Sequence, residues 1–129
     1  MKKNNRNETC LFTACYHGNL IIVKYLIEKG LNIHEKNTLG VTCFFNACYG
    51  GSLYVVKYLV EEKNININER DTDGKTCLIT TLLGINKYIE VIEYLINRGI
   101  IIDDEVREYV KYTYNKDVLK LLPLFVLKN

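Results

Sequence analysis

Five cysteines and two histidines are the residues of this 129-residue chain whose types could support metal binding, disulfide formation or nucleophilic catalysis. Their spacing argues against all three. Cys10, Cys43 and Cys77 recur after 33 and 34 residues, and Cys15 and Cys48 recur after 33. A cysteine that returns at a fixed period fills an equivalent packing position, where a free thiol behaves as a small buried hydrophobic group. We therefore predict structural, unpaired cysteines; a disulfide between the stacked Cys10 and Cys43 is the alternative.

The remaining candidates for chemistry are also better explained by structure. Cys15 and His17 lie two residues apart on a predicted helix, so they point to different faces and cannot form a catalytic dyad. No His-Glu-x-x-His, Gly-x-Ser-x-Gly or phosphate-binding glycine loop with lysine occurs in the sequence. The acidic run 103–105 is typical of a helix start, where carboxylates interact favourably with the helix dipole. We predict no catalytic residue, no metal ligand and no cofactor, and hence a protein that is not an enzyme.

The elements that carry these residues form an internal repeat. Shifting the sequence by 33 residues aligns positions 9–18, TCLFTACYHG, with positions 42–51, TCFFNACYGG, and VKYL at 23–26 with VKYL at 56–59. A third copy begins 34 residues later with TCLITT at 76–81. Its second half is displaced by 36, so two residues are inserted in a loop within 83–87. Three copies with a common spacing indicate a repeat protein.

Each copy predicts a turn, a short helix, a loop and a second helix. A threonine stands where an N-cap would satisfy the first amides of a helix, and glycine followed by asparagine or serine separates the two helices. A residue that tolerates the left-handed conformation ends the second helix. In chain order these signals are Thr9, Thr42 and Thr76; Gly18-Asn19 and Gly51-Ser52; and Gly30, Asn64 and Gly99, with Asn7 in place of a glycine in the first turn.

The C-terminal part departs from the repeat. Residues 104–113 and 116–122 predict two final helices, followed by an apolar tail that contains Pro123. Repeat stacks need atypical end units to cover their open core. We therefore expect this tail to fold back onto the third repeat; docking onto another molecule is the alternative.

The period and the order of elements resemble the ankyrin repeat, whose signature is Thr-Pro-Leu-His-x-Ala. The resemblance covers roughly residues 4–103. It implies an all-α helical solenoid of about three helix-loop-helix repeats with projecting turns, in one domain over residues 1–129, with repeats at about 4–36, 37–70 and 71–103 and a cap at 104–129. In this chain cysteine replaces the signature proline, and an apolar residue that must pack replaces the histidine; these residues are Phe12, Phe45 and Ile79.

Members of the family hold partners with the turn tips and with exposed positions of the first helices. The resemblance therefore implies a binding surface at equivalent positions of this chain. Leu39 and Val41 favour partner contact because turn tips are normally polar. Tyr16 and Tyr49 are equivalent to each other, so they could stack together, contact a partner, or do both. The full set is Asn5, Arg6, Glu8, Lys36, Thr38, Leu39, Val41, Arg70, Thr72, Asp73 and Lys75 at the tips, with Tyr16, His17, Tyr49 and Leu83 on the helices.

The sequence thus predicts a module that binds a protein partner through its concave groove and turn tips. One alternative is a structural spacer or a fragment of a longer repeat array, and another is a regulatory or inhibitory subunit of an enzyme. The partner itself cannot be named, since one fold serves many functions.

Composition bounds the remaining possibilities. Seventeen basic and fifteen acidic residues are spread along the chain, giving a formal charge of +2 without the basic block that indicates nucleic-acid binding. No segment approaches the roughly 20 apolar residues of a membrane helix, and no apolar stretch follows the N-terminal charges. We expect a monomeric, intracellular, cytoplasmic protein, with the nucleus left open.

Overall fold

All secondary structure that the computed structural model describes is helical, over residues 2–83, 89–113, 116–121 and 123. The predicted inter-helix insertion and the apolar tail beyond residue 121 fall largely outside these ranges. In chain order the elements are α1 (Cys10–His17), α2 (Leu20–Glu28), α3 (Cys43–Tyr49), α4 (Leu53–Lys57), a π-helical segment (Tyr58–Glu62), α5 (Cys77–Leu83), α6 (Ile89–Asn97), α7 (Asp104–Tyr112) and α8 (Lys116–Leu119).

The helices pair and stack as the repeat predicts. Helix α1 packs against α3 and α3 against α5, while α4 lies between α2 and α6. Phe12, Phe45 and Ile79, which replace the signature histidine, are buried in the core, as predicted. Each such side chain contributes about 1.5–3 kcal/mol by leaving water. The chain is therefore a helical repeat stack with one continuous core.

The first helices do not all begin with the same hydrogen bond. The Thr9 hydroxyl accepts from the Leu11 amide at 3.3 Å, which is the predicted cap. Thr42 makes no such bond and instead donates to the Glu69 carboxylate at 3.4 Å. The buried hydroxyl of Thr76 has no partner among the described residues. The capping prediction is right for Thr9 and wrong for Thr42 and Thr76. At Thr42 a neighbouring acceptor, Glu69, competes for the hydroxyl.

The residues predicted to end the helices agree with the structure better than the predicted threonine caps do. Gly18 ends α1 with φ of 72°, and the two predicted substitutes for glycine are also left-handed, Asn7 at 64° and Asn64 at 54°. The Asn19 side chain caps α2 by accepting from the Ile22 amide at 3.2 Å. Ser52 does not cap α4, which corrects the prediction; its hydroxyl donates to the Tyr16 carbonyl at 3.5 Å.

A π-helical turn explains why the second period is one residue longer than the first. The Leu31 amide bonds the Leu26 carbonyl across the end of α2, whereas the equivalent bond after α4 joins Ile65 to Leu59 and spans one more residue. A π-helix absorbs one extra residue in this way. The segment at residues 58–62 therefore lengthens the second copy without disturbing the stack.

The turns before each helix pair have one construction. In the second turn the Asn37 carboxamide oxygen accepts from the amides of Leu39 at 2.9 Å and Val41 at 3.0 Å. Asn4 and Asp71 do the same at the equivalent positions of the first and third turns. Side chains that bond the backbone two and four residues onward fix the shape of a turn.

Helix α7 covers the last repeat. The Asp103 carboxylate caps it by accepting from the Val106 amide at 3.1 Å, as the acidic run predicts. Val106 and Val110 are buried, and the Tyr109 hydroxyl donates to the Leu82 carbonyl of α5 at 3.0 Å. The predicted terminal helices are thus present, α7 ending one residue and α8 three residues earlier than expected.

Candidate protein-binding surface

A concave pocket of about 360 Å³ lies between the turn tips and the first helices. We call it the tip pocket. Its lining combines aromatic, aliphatic, amide and charged side chains. The residues are Arg6, Glu8, Tyr16, Asn37, Leu39, Val41, Phe45, Asn46, Tyr49 and Thr80. Six of the residues predicted for partner binding are among them: Arg6, Glu8, Tyr16, Leu39, Val41 and Tyr49.

Two tyrosines form an aromatic wall of the tip pocket. The rings of Tyr16 and Tyr49 stack with their centroids 6.1 Å apart and their planes at 29°. Each residue nevertheless stays 42% exposed. His17 is also exposed and meets the Tyr16 ring edge-on at 5.2 Å. Stacking between repeats and availability to a partner therefore coexist, and the stack fixes both rings before any partner arrives.

Leu39 is an apolar side chain held outward by a fixed turn. It is 54% exposed, while Val41 beside it is half-buried. The Leu39 amide bonds the Asn37 side chain, and its carbonyl accepts from the Thr72 amide at 3.0 Å and the Thr72 hydroxyl at 2.9 Å. An exposed leucine on a backbone bonded on both sides loses little conformational entropy on binding.

Two charged residues of the pocket, Glu8 and Arg6, differ in whether their side chains are already bonded within the chain. The Glu8 carboxylate already accepts from the side-chain amides of Asn4 at 3.0 Å and Asn37 at 2.8 Å, which ties the first two turns together. The Arg6 carbonyl accepts from the Thr38 amide at 3.0 Å, but the Arg6 guanidinium has no ion pair or side-chain hydrogen bond with the residues that the structure describes. Arg6 is thus the cation of the pocket that is available to an acidic group of a partner.

The predicted residues of the third turn are engaged within the chain and do not line the tip pocket. Arg70 donates to the Gly74 carbonyl at 2.7 Å and lies 3.5 Å from the Asp103 carboxylate. The Lys75 ammonium bonds Glu105 at 2.6 Å, and this hydrogen bond raises the pKa of Lys75. Thr72 is used to hold Leu39. Their surroundings therefore favour a structural role.

The other predicted tip residues lie away from the pocket lining. Lys36, Thr38 and Asp73 are exposed, as Asn5 is. Leu83 is the last residue of α5, and its side chain falls outside the described part of the chain. These residues stay predictions as partner contacts.

Sequence reasoning missed four residues of the pocket. Asn37 fixes the shape of its turn, and Phe45 is one of the apolar residues that were predicted only to pack. Asn46, whose amide donates to the Phe12 carbonyl at 3.2 Å, and Thr80 occupy one repeat position on their helices. A polar residue that recurs at the middle of an otherwise apolar helix could have identified that position, because burying a polar group in the core without a hydrogen bond costs free energy.

The cysteines confirm the structural interpretation with one exception. All five are unpaired thiols, and all except Cys10 are buried. A hydrogen bond with Cys43, together with burial, raises the pKa of Cys15, and burial raises that of Cys48. Raised thiol pKa values disfavour the reactive thiolate. The buried packing position predicted for Cys10 is wrong, because Cys10 is exposed, whereas its equivalent Cys43 packs against Cys15 of α1.

Two further structural findings concern the described residues alone. Within them, no three His, Cys, Asp or Glu side chains come together in a group that could hold a metal ion. In the same part of the chain, no helix has the length and apolar character needed to cross a bilayer.

Comparisons with known proteins give a family match and a structural neighbour for this chain. The family model for ankyrin repeats in three copies matches residues 11–106. No curated protein matches the sequence. A solved complex of a predatory endopeptidase from Bdellovibrio bacteriovorus with its immunity protein contains a chain, the ankyrin-like immunity protein, that aligns with a TM-score of 0.73 and 25% identity. The alignment covers 99% of this chain and 65% of that one, so this chain spans about two-thirds of its neighbour's length.

Proposed function

The chain belongs to the ankyrin-repeat family, and on that premise we propose that it is a non-catalytic module that binds a partner protein through the tip pocket. The observation that carries this proposal is the exposed Leu39 beside the stacked Tyr16 and Tyr49. Protein interfaces place aromatic and aliphatic anchors inside a polar rim, and a few such anchors supply most of the binding energy. The free guanidinium of Arg6 would pair with an acidic group of the partner at the edge of this anchor.

The pocket is suited to binding because its shape exists before the partner arrives. Side-chain bonds from Asn37 fix the turn, Thr72 fixes the Leu39 carbonyl, and the tyrosine stack fixes the two rings. Ordering these groups on association would otherwise cost about 0.5–1.5 kcal/mol for each flexible side chain. The affinity of the module therefore depends on the anchors more than on induced rearrangement.

A second candidate is a regulatory or inhibitory subunit of an enzyme. The similarity to an immunity protein found in complex with an endopeptidase supports it. In this case the partner is an enzyme, and binding at the tip pocket changes its activity. The two candidates share the surface and differ in what the partner does. For location, the five unpaired thiols support our expectation of an intracellular protein.

Affinity capture with matched baits tests the proposal. The wild-type chain is compared with a pocket variant, Tyr16→Ala/Leu39→Ser/Tyr49→Ala, in lysate of the source organism. The control bait, Tyr54→Ala/Ile101→Ser/Tyr112→Ala, removes three exposed residues of the same types, two tyrosines and one aliphatic residue, outside the pocket. Far-UV circular dichroism first establishes that both variants keep the helical content of the wild type.

We expect a protein that the wild type and the control bait retain and that the pocket variant loses. Equal retention by all three baits would contradict the assignment of the pocket. If the captured protein is an enzyme, its activity with and without added wild-type chain separates the two candidates, since loss of activity that the pocket variant fails to cause would identify an inhibitor.

A further inference from the structure

The three turn tips carry side chains of different charge at one repeat position. Arg6, Leu39 and Asp73 are equivalent, because the amide of each donates at 2.9 Å to the side-chain oxygen of the residue two positions earlier. All three side chains are exposed. We call this set the tip row. Along the stack it runs from a cation through an aliphatic residue to an anion.

Backbone hydrogen bonds between neighbouring turns hold the tip row in place. The Arg6 carbonyl accepts from the Thr38 amide at 3.0 Å, and the Leu39 carbonyl accepts from the Thr72 amide at the same distance. The first helices that follow these turns pack against one another in succession. Because the axes of packed helices lie about 8–10 Å apart, successive tips have a similar spacing. The tip row therefore presents its three side chains in a fixed order, about three residues of extended chain apart.

The two charges of the tip row are not used by the part of the chain that the structure describes. Within that part the Arg6 guanidinium has no ion pair or side-chain hydrogen bond, and the Asp73 carboxylate has none either. The bonds that shape the two turns come from the backbone amides of these residues. Both charged groups therefore remain available to a partner.

The position two residues further along each turn has the opposite charge order, but its charges are bonded within the chain. This position holds Glu8, Val41 and Lys75. The Glu8 carboxylate accepts from two side-chain amides, and the Lys75 ammonium bonds the Glu105 carboxylate at 2.6 Å. That hydrogen bond is the main cause of the raised pKa of Lys75, and the charge of Asp73 adds to it. The order of charges that a partner meets is therefore that of the tip row.

The position before each turn is basic in all three copies and so gives no order. Lys3 forms an ion pair with Glu35, and Arg70 lies 3.5 Å from the Asp103 carboxylate. Lys36, at the equivalent position of the second turn, is exposed. These cations favour an acidic partner in general but do not distinguish one end of the tip row from the other.

We propose that the partner lays a segment across the tip row, with an acidic side chain against Arg6, an apolar one against Leu39 and a basic one against Asp73. This inference rests on the proposed function and adds the charge order of the partner. At about three residues between successive contacts, the pattern occupies about seven residues of extended chain. A segment lying in the opposite direction would place like charges together at both ends, which costs free energy. The tip row thus selects the direction in which the partner lies.

Peptides selected on the chain itself test this charge order before any natural partner is known. Short random peptides displayed on phage are first depleted on the pocket variant Tyr16→Ala/Leu39→Ser/Tyr49→Ala and then selected on the wild-type chain. The peptides that remain need the tip pocket. We expect them to carry an acidic and a basic residue on opposite sides of an apolar one.

Exchanging the charges on both sides of the contact is the decisive comparison. Fluorescence anisotropy measures the Kd of a selected peptide for the wild type and for Arg6→Asp/Asp73→Arg, and then the Kd of the same peptide with its acidic and basic residues exchanged. We expect each mismatched combination to bind about tenfold more weakly. The combination with both partners exchanged should recover the original affinity. These differences should shrink at high salt, because the charges are exposed.

Lys24→Glu/Glu28→Lys is the matched control, because it also exchanges one exposed cation with one exposed anion, on α2 and outside the tip pocket. Far-UV circular dichroism establishes that both exchange variants fold, and the control should bind each peptide as the wild type does. Peptides that need the pocket but lack the charge pattern, or mismatched combinations that bind as tightly as matched ones, would overturn the charge order and leave the tip pocket standing. A library without any peptide that distinguishes the wild type from the pocket variant would overturn both proposals.

Discussion

Replacing Gly50 by alanine should destabilise the stack even though its backbone suits any residue. Its φ of −76° and ψ of −8° are right-handed, so the dihedral angles alone predict that alanine stabilises the protein by about 0.4–1 kcal/mol through the unfolded state. The contact between the first two repeats predicts the opposite. A Cβ atom at this position would overlap the Tyr16 carbonyl oxygen and lie 3.0 Å from its carbon and 3.2 Å from the Asn46 carbonyl oxygen.

The expected cost follows from what has to move. The Tyr16 carbonyl is backbone of α1 and Gly50 ends α3, so α1 and α3 must separate by more than about 1 Å to restore ordinary contacts of about 3.5 Å. Such overpacking costs about 1–3 kcal/mol. The separation also weakens the bond from Ser52 to the Tyr16 carbonyl and the bond from Asn46 to the Phe12 carbonyl, each contributing about 1 kcal/mol. After the gain in the unfolded state is subtracted, we expect a net loss of about 3 kcal/mol.

Equilibrium urea unfolding followed by circular dichroism measures this loss. Gly74→Ala is the control, because Gly74 has φ of 77° and no other group lies within 4 Å of the place that its Cβ atom would take. It should lose about 1–2 kcal/mol from its left-handed conformation alone. A Gly50→Ala protein as stable as the wild type, or more stable, would refute the steric reasoning.

Two further predictions concern hydroxyl groups. Thr76→Val should raise the free energy of unfolding by about 1 kcal/mol, because it removes a buried hydroxyl without a partner among the described residues. Thr42→Val should lower the free energy of unfolding by about 0.5–1 kcal/mol, because it removes the bond to Glu69. Urea unfolding of the two variants and the wild type measures both changes. Burial and the hydrogen bond to Glu61 raise the pKa of Tyr94 to about 12, so its contribution to stability should be full below the unfolded value of about 10 and disappear as pH rises through 12. The difference in phenolate absorbance between wild type and Tyr94→Phe should show one group titrating near 12, and a difference centred near 10 would contradict this.

The repeat period, the helix order and the left-handed ends were readable from the sequence because they depend on local chemistry. Asn7 and Asn64 adopt left-handed backbone as predicted, since asparagine tolerates it at helix ends and turns. Asp103 caps α7 for an equally local reason. The six predicted residues that line the tip pocket came from the resemblance to the ankyrin repeat, and the repeat register places the equivalent positions of successive copies side by side.

Whatever depends on the neighbouring repeat needed the tertiary structure. Ser52 follows the same local pattern as Asn19, yet it bonds the Tyr16 carbonyl because the preceding helix offers an acceptor within reach. Cys10 and Cys43 share a local sequence but differ in burial, because Cys43 packs against Cys15 of α1, whereas Cys10 is exposed on α1 itself. Sequence periodicity thus determined which positions are equivalent, and the stack decided what each position contacts, because burial is a property of the assembled neighbours and not of the residue.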